Sequence, residues 1–156
     1  MESINNGYPE LTGQFTMSDA RILAPLYSGR EGETTAVMQY IYNSYVEGGS
    51  QIAKTMHTIA VQEMRHHALL GEAIVKCGGN PIIGDYLGWW SGRYLSYNRD
   101  TAKMIDEAIR AEEYAIAAYY RACAKLDNES LKELIRAIIR DEEIHIVMLN
   151  NLKAKL

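Results

Sequence analysis

The feature that most constrains the fold is an internal repeat with an offset of 79 residues. A Glu-x-x-His motif at residues 63–66 recurs at 142–145, and a lone glutamate precedes each copy at the same distance. The polar residues that obey the offset are Glu33 with Glu112, Tyr40 with Tyr119, Glu63 with Glu142 and His66 with His145. Residues three apart on a helix share one face, so each motif can direct an oxygen and a nitrogen to one point. The repeat therefore predicts a helical hairpin used twice, with four carboxylates and two imidazoles between the copies.

Four periodic segments are predicted to be helices. The first covers residues 30–47, the second begins after Ser50, the third runs from Asp100 to residue 126, and the fourth begins after Ser130 or Asn128. Glycine pairs at 48–49 and 78–79 end the first two helices. Residues 82–99 form a long connection rich in glycine and aromatic residues. We therefore expect an all-α four-helix bundle with one long crossover between helices 2 and 3, which makes these two helices parallel.

The first 29 residues lack a sustained period and are predicted to be an N-terminal arm with one short helix at 18–23, capped by Ser18. Residues 30–156 form the bundle domain. Cys77 and Cys123 lie far apart within helical patterns and outside any Cys-x-x-Cys pair, so we expect reduced thiols in or near the core.

Charge and hydropathy exclude several classes of partner. The 16 basic and 20 acidic residues give a net charge of -4 without a basic block, so a nucleic-acid partner is not expected. The sequence also shows neither a leader pattern nor an apolar run of membrane-spanning length. These features predict a cytoplasmic protein without a membrane partner.

The repeated residues are best interpreted as a metal centre. Four carboxylates held together away from water would repel one another at a cost of several kcal/mol each, and two divalent ions supply the compensating charge. A buried salt-bridge network is the alternative. Arg65 and Arg140 are poor candidates to neutralise the carboxylates, however, because they lie off the helix faces that carry the repeated residues. Imidazole and carboxylate ligands suit iron or manganese, with zinc or cobalt as adventitious occupants. The offset selects Glu112, although Glu113 is its rival.

Two tyrosines of the repeat carry a second prediction. Tyr40 and Tyr119 lie seven residues after Glu33 and Glu112, two turns along the same stripe. They are predicted to donate hydrogen bonds to the metal-binding carboxylates. An ordinary place in the aromatic core is the other interpretation.

A lone glutamate followed by Glu-x-x-His, repeated across four helices, resembles the ferritin-like dimetal-carboxylate superfamily, with rubrerythrins, bacterioferritins and manganese catalases as the nearest branches. The stretch 63–72, EMRHHALLGE, is similar to the second helix of rubrerythrin-like proteins. The resemblance implies a ferritin-like bundle with two bound ions, iron preferred over manganese. It also implies the following roles: Glu63 and Glu142 bridge the ions, His66 and His145 each bind one, and Glu33 and Glu112 are terminal ligands.

That resemblance implies an oxidoreductase that acts on hydrogen peroxide or dioxygen. Rubrerythrins typically append a rubredoxin domain and carry an extra glutamate where this chain has Ala115. The leading hypothesis is a peroxidase that receives electrons from a separate donor protein. Peroxide dismutation of the manganese-catalase kind is the first alternative. Ferroxidase activity with iron sequestration is the second, and a metal-stabilised interaction module is the third.

The aromatic crossover predicts a homodimer. Its aromatic side chains include Tyr86, Trp89, Trp90 and Tyr94. Aromatic residues are enriched at the cores of protein interfaces, so we expect these side chains to contact a second copy of the chain.

Overall fold

The computed structural model describes residues 7–85 and 88–156, which form five α-helices and one short hairpin. The helices are α1 Met17–Ser28, α2 Glu33–Val46, α3 Gln51–Lys76, α4 Thr101–Cys123 and α5 Glu129–Lys153. Between α3 and α4, the two-residue strands β1 Gly84–Asp85 and β2 Gly88–Trp89 pair antiparallel, and a 3-10 turn follows at Gly92–Tyr94. The all-α prediction is confirmed.

Side-chain caps set the starts of three bundle helices. The side chains of Ser50 and Asp100 each accept a hydrogen bond from the amide three residues further on, as predicted. At the start of α5 the same bond is made by Asn128, while Ser130 lies inside the helix. Of the two predicted caps, Asn128 is therefore the one that the chain uses. Gly78, with φ of 81°, adopts the left-handed conformation just after α3.

The crossover makes α3 and α4 parallel. Thr101, the first residue of α4, donates a hydrogen bond of 2.7 Å to Glu47 at the end of α2. Since α3 begins directly after that end, α3 and α4 start at the same end of the bundle. Lys153 near the end of α5 lies 2.6 Å from Asp106 near the start of α4, so these two helices run antiparallel. The predicted topology of two hairpins joined by one crossover is confirmed.

Two apolar clusters divide the core along the helix axes. One contains Leu70 and Ile74 of α3 with Ile138 of α5, all almost fully buried. The other contains Ile59 of α3 and Leu149 of α5. The residues between these positions on α3 and α5 include the two Glu-x-x-His motifs. A polar layer therefore lies between two dry clusters that keep water away from it.

The prediction for the arm is wrong in its helix boundaries. Instead of a helix at 18–23 capped by Ser18, α1 starts one residue earlier and is capped by Thr16, whose side chain accepts from the amide of Asp19. Asp19 reaches back to the Thr16 amide and completes a capping box. Pro25 removes one hydrogen bond, yet α1 continues to Ser28 because its inner face is buried. Tertiary packing thus overrides the proline signal.

Both cysteines are free thiols, Cys77 buried and Cys123 half-buried, as the sequence predicted. Among the helices of the described residues, none has the length and hydrophobicity required to cross a membrane.

Candidate metal centre

All four bundle helices contribute to one buried polar layer. The contributions are Glu33 from α2, Glu63 and His66 from α3, Glu112 from α4, and Glu142 and His145 from α5. Each of these side chains belongs to a residue that is at most 3% exposed. The structure thus brings together all six residues that the repeat selects. The rival Glu113 is exposed on the outer side of α4.

The six side chains form two overlapping groups of potential ligands. One group contains Glu33, Glu63, His66 and Glu142, and the other contains Glu63, Glu112, Glu142 and His145, each with its ligand atoms within 4.8 Å of one another. Nδ1 of His66 lies 2.9 Å from Oε2 of Glu63 and 3.2 Å from Oε1 of Glu142. Nδ1 of His145 lies 2.8 Å from Oε2 of Glu142 and 3.4 Å from Oε1 of Glu63. Glu63 and Glu142 therefore face both groups.

Glu33 and Glu112 differ from Glu63 in proton affinity. Burial raises the pKa of Glu33 well above its usual value, and the charge of Glu63 raises it further. The same two causes raise the pKa of Glu112. Burial also acts on Glu63, but the close contacts with His145 and His66 and the positive charges of these two rings outweigh it and lower the pKa of Glu63. Without metal, protons therefore bind more readily to Glu33 and Glu112 and less readily to Glu63.

The two histidines hold protons strongly for a related reason. Burial lowers the pKa of His66, but hydrogen bonds to Asp141, Glu142 and Glu63 outweigh it and raise the pKa well above its usual value. The neighbouring glutamates likewise outweigh burial and raise the pKa of His145 to about 12. In the absence of metal, protons on the two imidazoles and on Glu33 and Glu112 partly balance the negative charge of this buried layer. Metal ions would take their place.

The chemistry of the donor set fits a pair of metal ions. Within the described residues, three buried atoms have no hydrogen-bond partner: Oε2 of Glu33, Oε2 of Glu142 and Nδ1 of His145. The last two lie 2.8 Å apart but lack hydrogen-bond geometry. Buried polar atoms are rarely left unpaired, and lone pairs that converge on one ion explain such a close approach.

The two repeated tyrosines bond across the bundle. Tyr40 of α2 donates to Oε1 of Glu112 on α4, and Tyr119 of α4 donates to Oε1 of Glu33 on α2. The sequence predicted hydrogen bonds from these tyrosines to metal-binding carboxylates. It did not show that each tyrosine donates to the glutamate of the other hairpin. Burial raises the pKa of each tyrosine, and the partner carboxylates raise it further, so both hydroxyls remain donors.

The sequence interpretation missed Asp141, which lies on the opposite side of the His66 ring. Its Oδ2 lies 3.0 Å from Nε2 of His66, and it also accepts hydrogen bonds from Tyr8 and from Gln62. The sequence did contain a signal, because the equivalent positions 62 and 141 of the repeat both carry polar residues, Gln62 and Asp141. Each of them directly precedes a motif glutamate. Tyr8 gave no such signal, since it comes from the aperiodic arm.

The other two histidines, His57 and His67, lie away from the centre. His67 is half-buried, stacks on Tyr27 with ring centroids 4.2 Å apart, and contacts the hydroxyl of Thr34 at 3.1 Å. His57 is exposed on α3. Both are therefore positioned as structural or surface residues.

A cavity of about 450 Å³ gives access to the centre from the side of α2 and α4. Small side chains such as Ala36 and Ala115 leave space between the helices, and Tyr94 and Ser96 of the crossover line the cavity. The residues of the centre that it reaches are Glu33, Glu63, Glu112, Glu142, Tyr40 and Tyr119. A small molecule can approach the carboxylates here, whereas the histidines lie outside its lining.

One comparison with known proteins covers most of the chain. The family model described as Rubrerythrin matches residues 26–153. Among curated proteins, none matches the sequence.

Solved structures share the bundle at low sequence identity. KatB, a manganese catalase from Anabaena PCC7120, superposes with a TM-score of 0.87 at 21% identity, covering 92% of this chain and 74% of its own. The bacterioferritin of Desulfovibrio desulfuricans, whose structure has a diiron site, gives a TM-score of 0.72 at 23% identity, covering 92% and 84%. The bacterioferritin of Rhodobacter capsulatus gives 0.77 at 20%, covering 91% and 87%. These similarities establish the ferritin-like bundle.

Proposed function

Since this chain belongs to the rubrerythrin family, we propose that it is a dimetal oxidoreductase acting on hydrogen peroxide or dioxygen. The observation that carries the proposal is the pair of overlapping ligand groups that share Glu63 and Glu142. Carboxylates shared in this way would hold two ions near each other, and such a pair would supply redox chemistry toward a small oxidant. The cofactor predicted from the sequence, two ions of iron or manganese, agrees with the family and with this donor set.

We assign one role to each kind of side chain. Glu63 and Glu142 would be shared by the two ions, and Glu33 with His66 and Glu112 with His145 would complete the two subsites. When bound, the ions supply Lewis-acid and electron-transfer chemistry. The Tyr40 and Tyr119 hydroxyls hold the terminal glutamates in place by donating to them.

Peroxide reduction with an external donor is the leading form of this proposal. The cavity beside α2 and α4 admits a small oxidant to the carboxylate face, while the apolar clusters keep bulk water from the rest of the layer. Cys77 and Cys123 are both free thiols, and we assign the supply of reducing electrons to a separate donor protein.

Dismutation is the second candidate, favoured by a specific observation. The bundle superposes on two structures of the manganese catalase KatB with TM-scores of 0.87 and 0.88, above the values of the bacterioferritins. Dismutation needs no outside reductant, because peroxide serves as both oxidant and reductant.

A peroxide assay separates these two reactions. The protein is loaded with iron or with manganese, and peroxide loss and dioxygen release are followed with and without a reductant. Reduction predicts peroxide loss only with the reductant and without release of dioxygen. Dioxygen released in step with peroxide loss, without any donor, would favour dismutation. If neither metal form consumes peroxide or dioxygen, the proposal of a redox enzyme is wrong.

Iron sequestration by a large assembly is a further alternative to these two reactions. For the oligomeric state we propose a homodimer. Trp89 is 77% exposed and available to a second copy, whereas Trp90 donates a bond of 2.8 Å to Thr35 within the chain. Tyr86 of the predicted interface lies outside the described residues. A large assembly in gel filtration, together with the loading of many iron ions per chain, would favour iron sequestration over enzymatic turnover.

Loss of either buried tyrosine hydroxyl should weaken metal binding. Tyr40→Phe removes the donor to Glu112, and Tyr119→Phe removes the donor to Glu33. Since such supporting bonds typically contribute about 10–100-fold to metal affinity, we expect each variant to bind metal about tenfold or more weakly in a titration. Tyr45→Phe, at a 77% exposed residue of α2, is the matched control. Unchanged affinity in both buried variants would make these tyrosines packing residues only.

A further inference from the structure

The two copies of the repeat carry different polar side chains at the position directly before the glutamate of each motif. Gln62 and Asp141 are equivalent under the 79-residue offset, and each directly precedes the glutamate of its motif. The two side chains meet, with Nε2 of Gln62 donating to Oδ2 of Asp141 at 3.1 Å. One hairpin therefore brings a neutral amide to this contact and the other brings a carboxylate.

The Asp141 carboxylate serves the His66 side of the centre. Its Oδ2 lies 3.0 Å from Nε2 of His66, while Nδ1 of the same ring faces Glu63 and Glu142. If Nδ1 binds a metal ion, Nε2 would carry the ring proton and donate a hydrogen bond to the Asp141 carboxylate. A carboxylate in this place fixes the tautomer and the ring orientation and strengthens the imidazole as a ligand.

The N-terminal arm holds this carboxylate in position. Tyr8 donates to Asp141 and accepts a bond of 2.8 Å from Gln62, and its ring packs edge-on against His66. The Arg65 guanidinium lies 4.7 Å from the centre of the Tyr8 ring. Tyr8 and Gln62 thus direct two donors to the same oxygen that faces His66.

The His145 side has different surroundings. Within the described residues, the close polar neighbours of His145 are Glu63, Glu112 and Glu142, all of them glutamates of the centre. The residue equivalent to Asp141 on this side is Gln62, and its amide nitrogen points to Tyr8 and Asp141.

We propose that Asp141, positioned by Tyr8 and Gln62, makes the two metal subsites unequal, so that the subsite of Glu33 and His66 binds its ion first. The proposal rests on the ligand assignment above but not on the reaction. The fully supported histidine gives the first subsite an affinity about 10–100-fold higher than the second. Asp141 is a positioning residue that acts through His66.

Titration of the metal-free protein with Mn²⁺, followed by calorimetry and by electron paramagnetic resonance, tests this inequality. The wild type should bind in two separate steps, with the signal of an isolated ion at one equivalent and of a coupled pair at two. His145→Ala should keep the tight step, and His66→Ala should lose it. Two steps of equal affinity, or a tight step that survives in His66→Ala, would overturn the inference. A wild type that binds no Mn²⁺ would instead refute the ligand assignment itself.

Variants of the supporting residues identify the cause. Asp141→Asn should weaken only the first step, by about tenfold or more, and Tyr8→Phe should weaken the same step by less. Glu143→Gln, the same chemical change two residues away at an exposed glutamate, should leave both steps unchanged. Tyr8→Phe carries the test if Asp141→Asn does not fold by circular dichroism. Equal weakening of both steps, or no weakening in either variant, contradicts the proposed role.

Discussion

Removal of the metal ions should lower the melting temperature of this protein by about 15–30 °C. Each ion present at about a thousand times its dissociation constant stabilises the folded chain by about 4 kcal/mol, so two ions contribute about 8 kcal/mol. For a chain of this length, each kcal/mol shifts the melting temperature by about 2–4 °C. The effect is large because the metal-free layer places four carboxylates between two apolar clusters.

Calorimetric melting curves of chelated and metal-loaded protein measure this shift, with metal content verified by elemental analysis. Adding back the removed metal should restore the higher melting temperature, which excludes damage by the chelator. Glu113→Gln, at the exposed neighbour of Glu112, should show the wild-type shift. Equal melting temperatures after verified removal would show that metal binding is not linked to folding.

The sequence predicted the bundle and its six central residues because both depend on periodicity. The stripe on α3 that contains Ile59, Glu63, His66 and Leu70 recurs on α5 at a constant offset, and a helix converts such spacing directly into a shared face. The same offset chose Glu112 over Glu113, and the structure places Glu112 in the buried layer. Short loops and one long crossover then leave few ways to arrange four amphipathic helices.

Features that depend on tertiary contacts could not be predicted from the sequence. α1 extends through Pro25 because Leu23 and Tyr27 are buried against the bundle, which outweighs the lost hydrogen bond. Tyr8 reaches Asp141 across 133 residues, a contact that no local pattern encodes. The exchange of tyrosines between hairpins likewise depends on how α2 and α4 face each other. Periodicity identifies a buried face but not the partner that each side chain meets on it.

Replacement of a shared glutamate should impair both metal subsites, whereas replacement of a terminal glutamate should impair one. Glu63 belongs to both ligand groups and Glu33 to one. Removing one partner of a buried ionic cluster costs about 3–5 kcal/mol, equivalent to about 10²–10³-fold or more in affinity. We therefore expect Glu63→Gln to bind both ions at least about a hundredfold more weakly and to lose peroxide turnover.

The comparison of Glu63→Gln with Glu33→Gln makes this prediction specific, because both changes remove one buried carboxylate charge and keep the side-chain shape. Metal titration with elemental analysis should find that Glu33→Gln still binds the ion of the Glu112 and His145 subsite at its wild-type affinity, whereas Glu63→Gln binds both ions more weakly. Circular dichroism confirms that both variants fold. If Glu63→Gln keeps one tight ion, the carboxylate does not bridge, and the two ions would have to be held separately. Since the proposed redox chemistry requires both ions to meet one oxidant, such a result would count against it as well as against the ligand assignment.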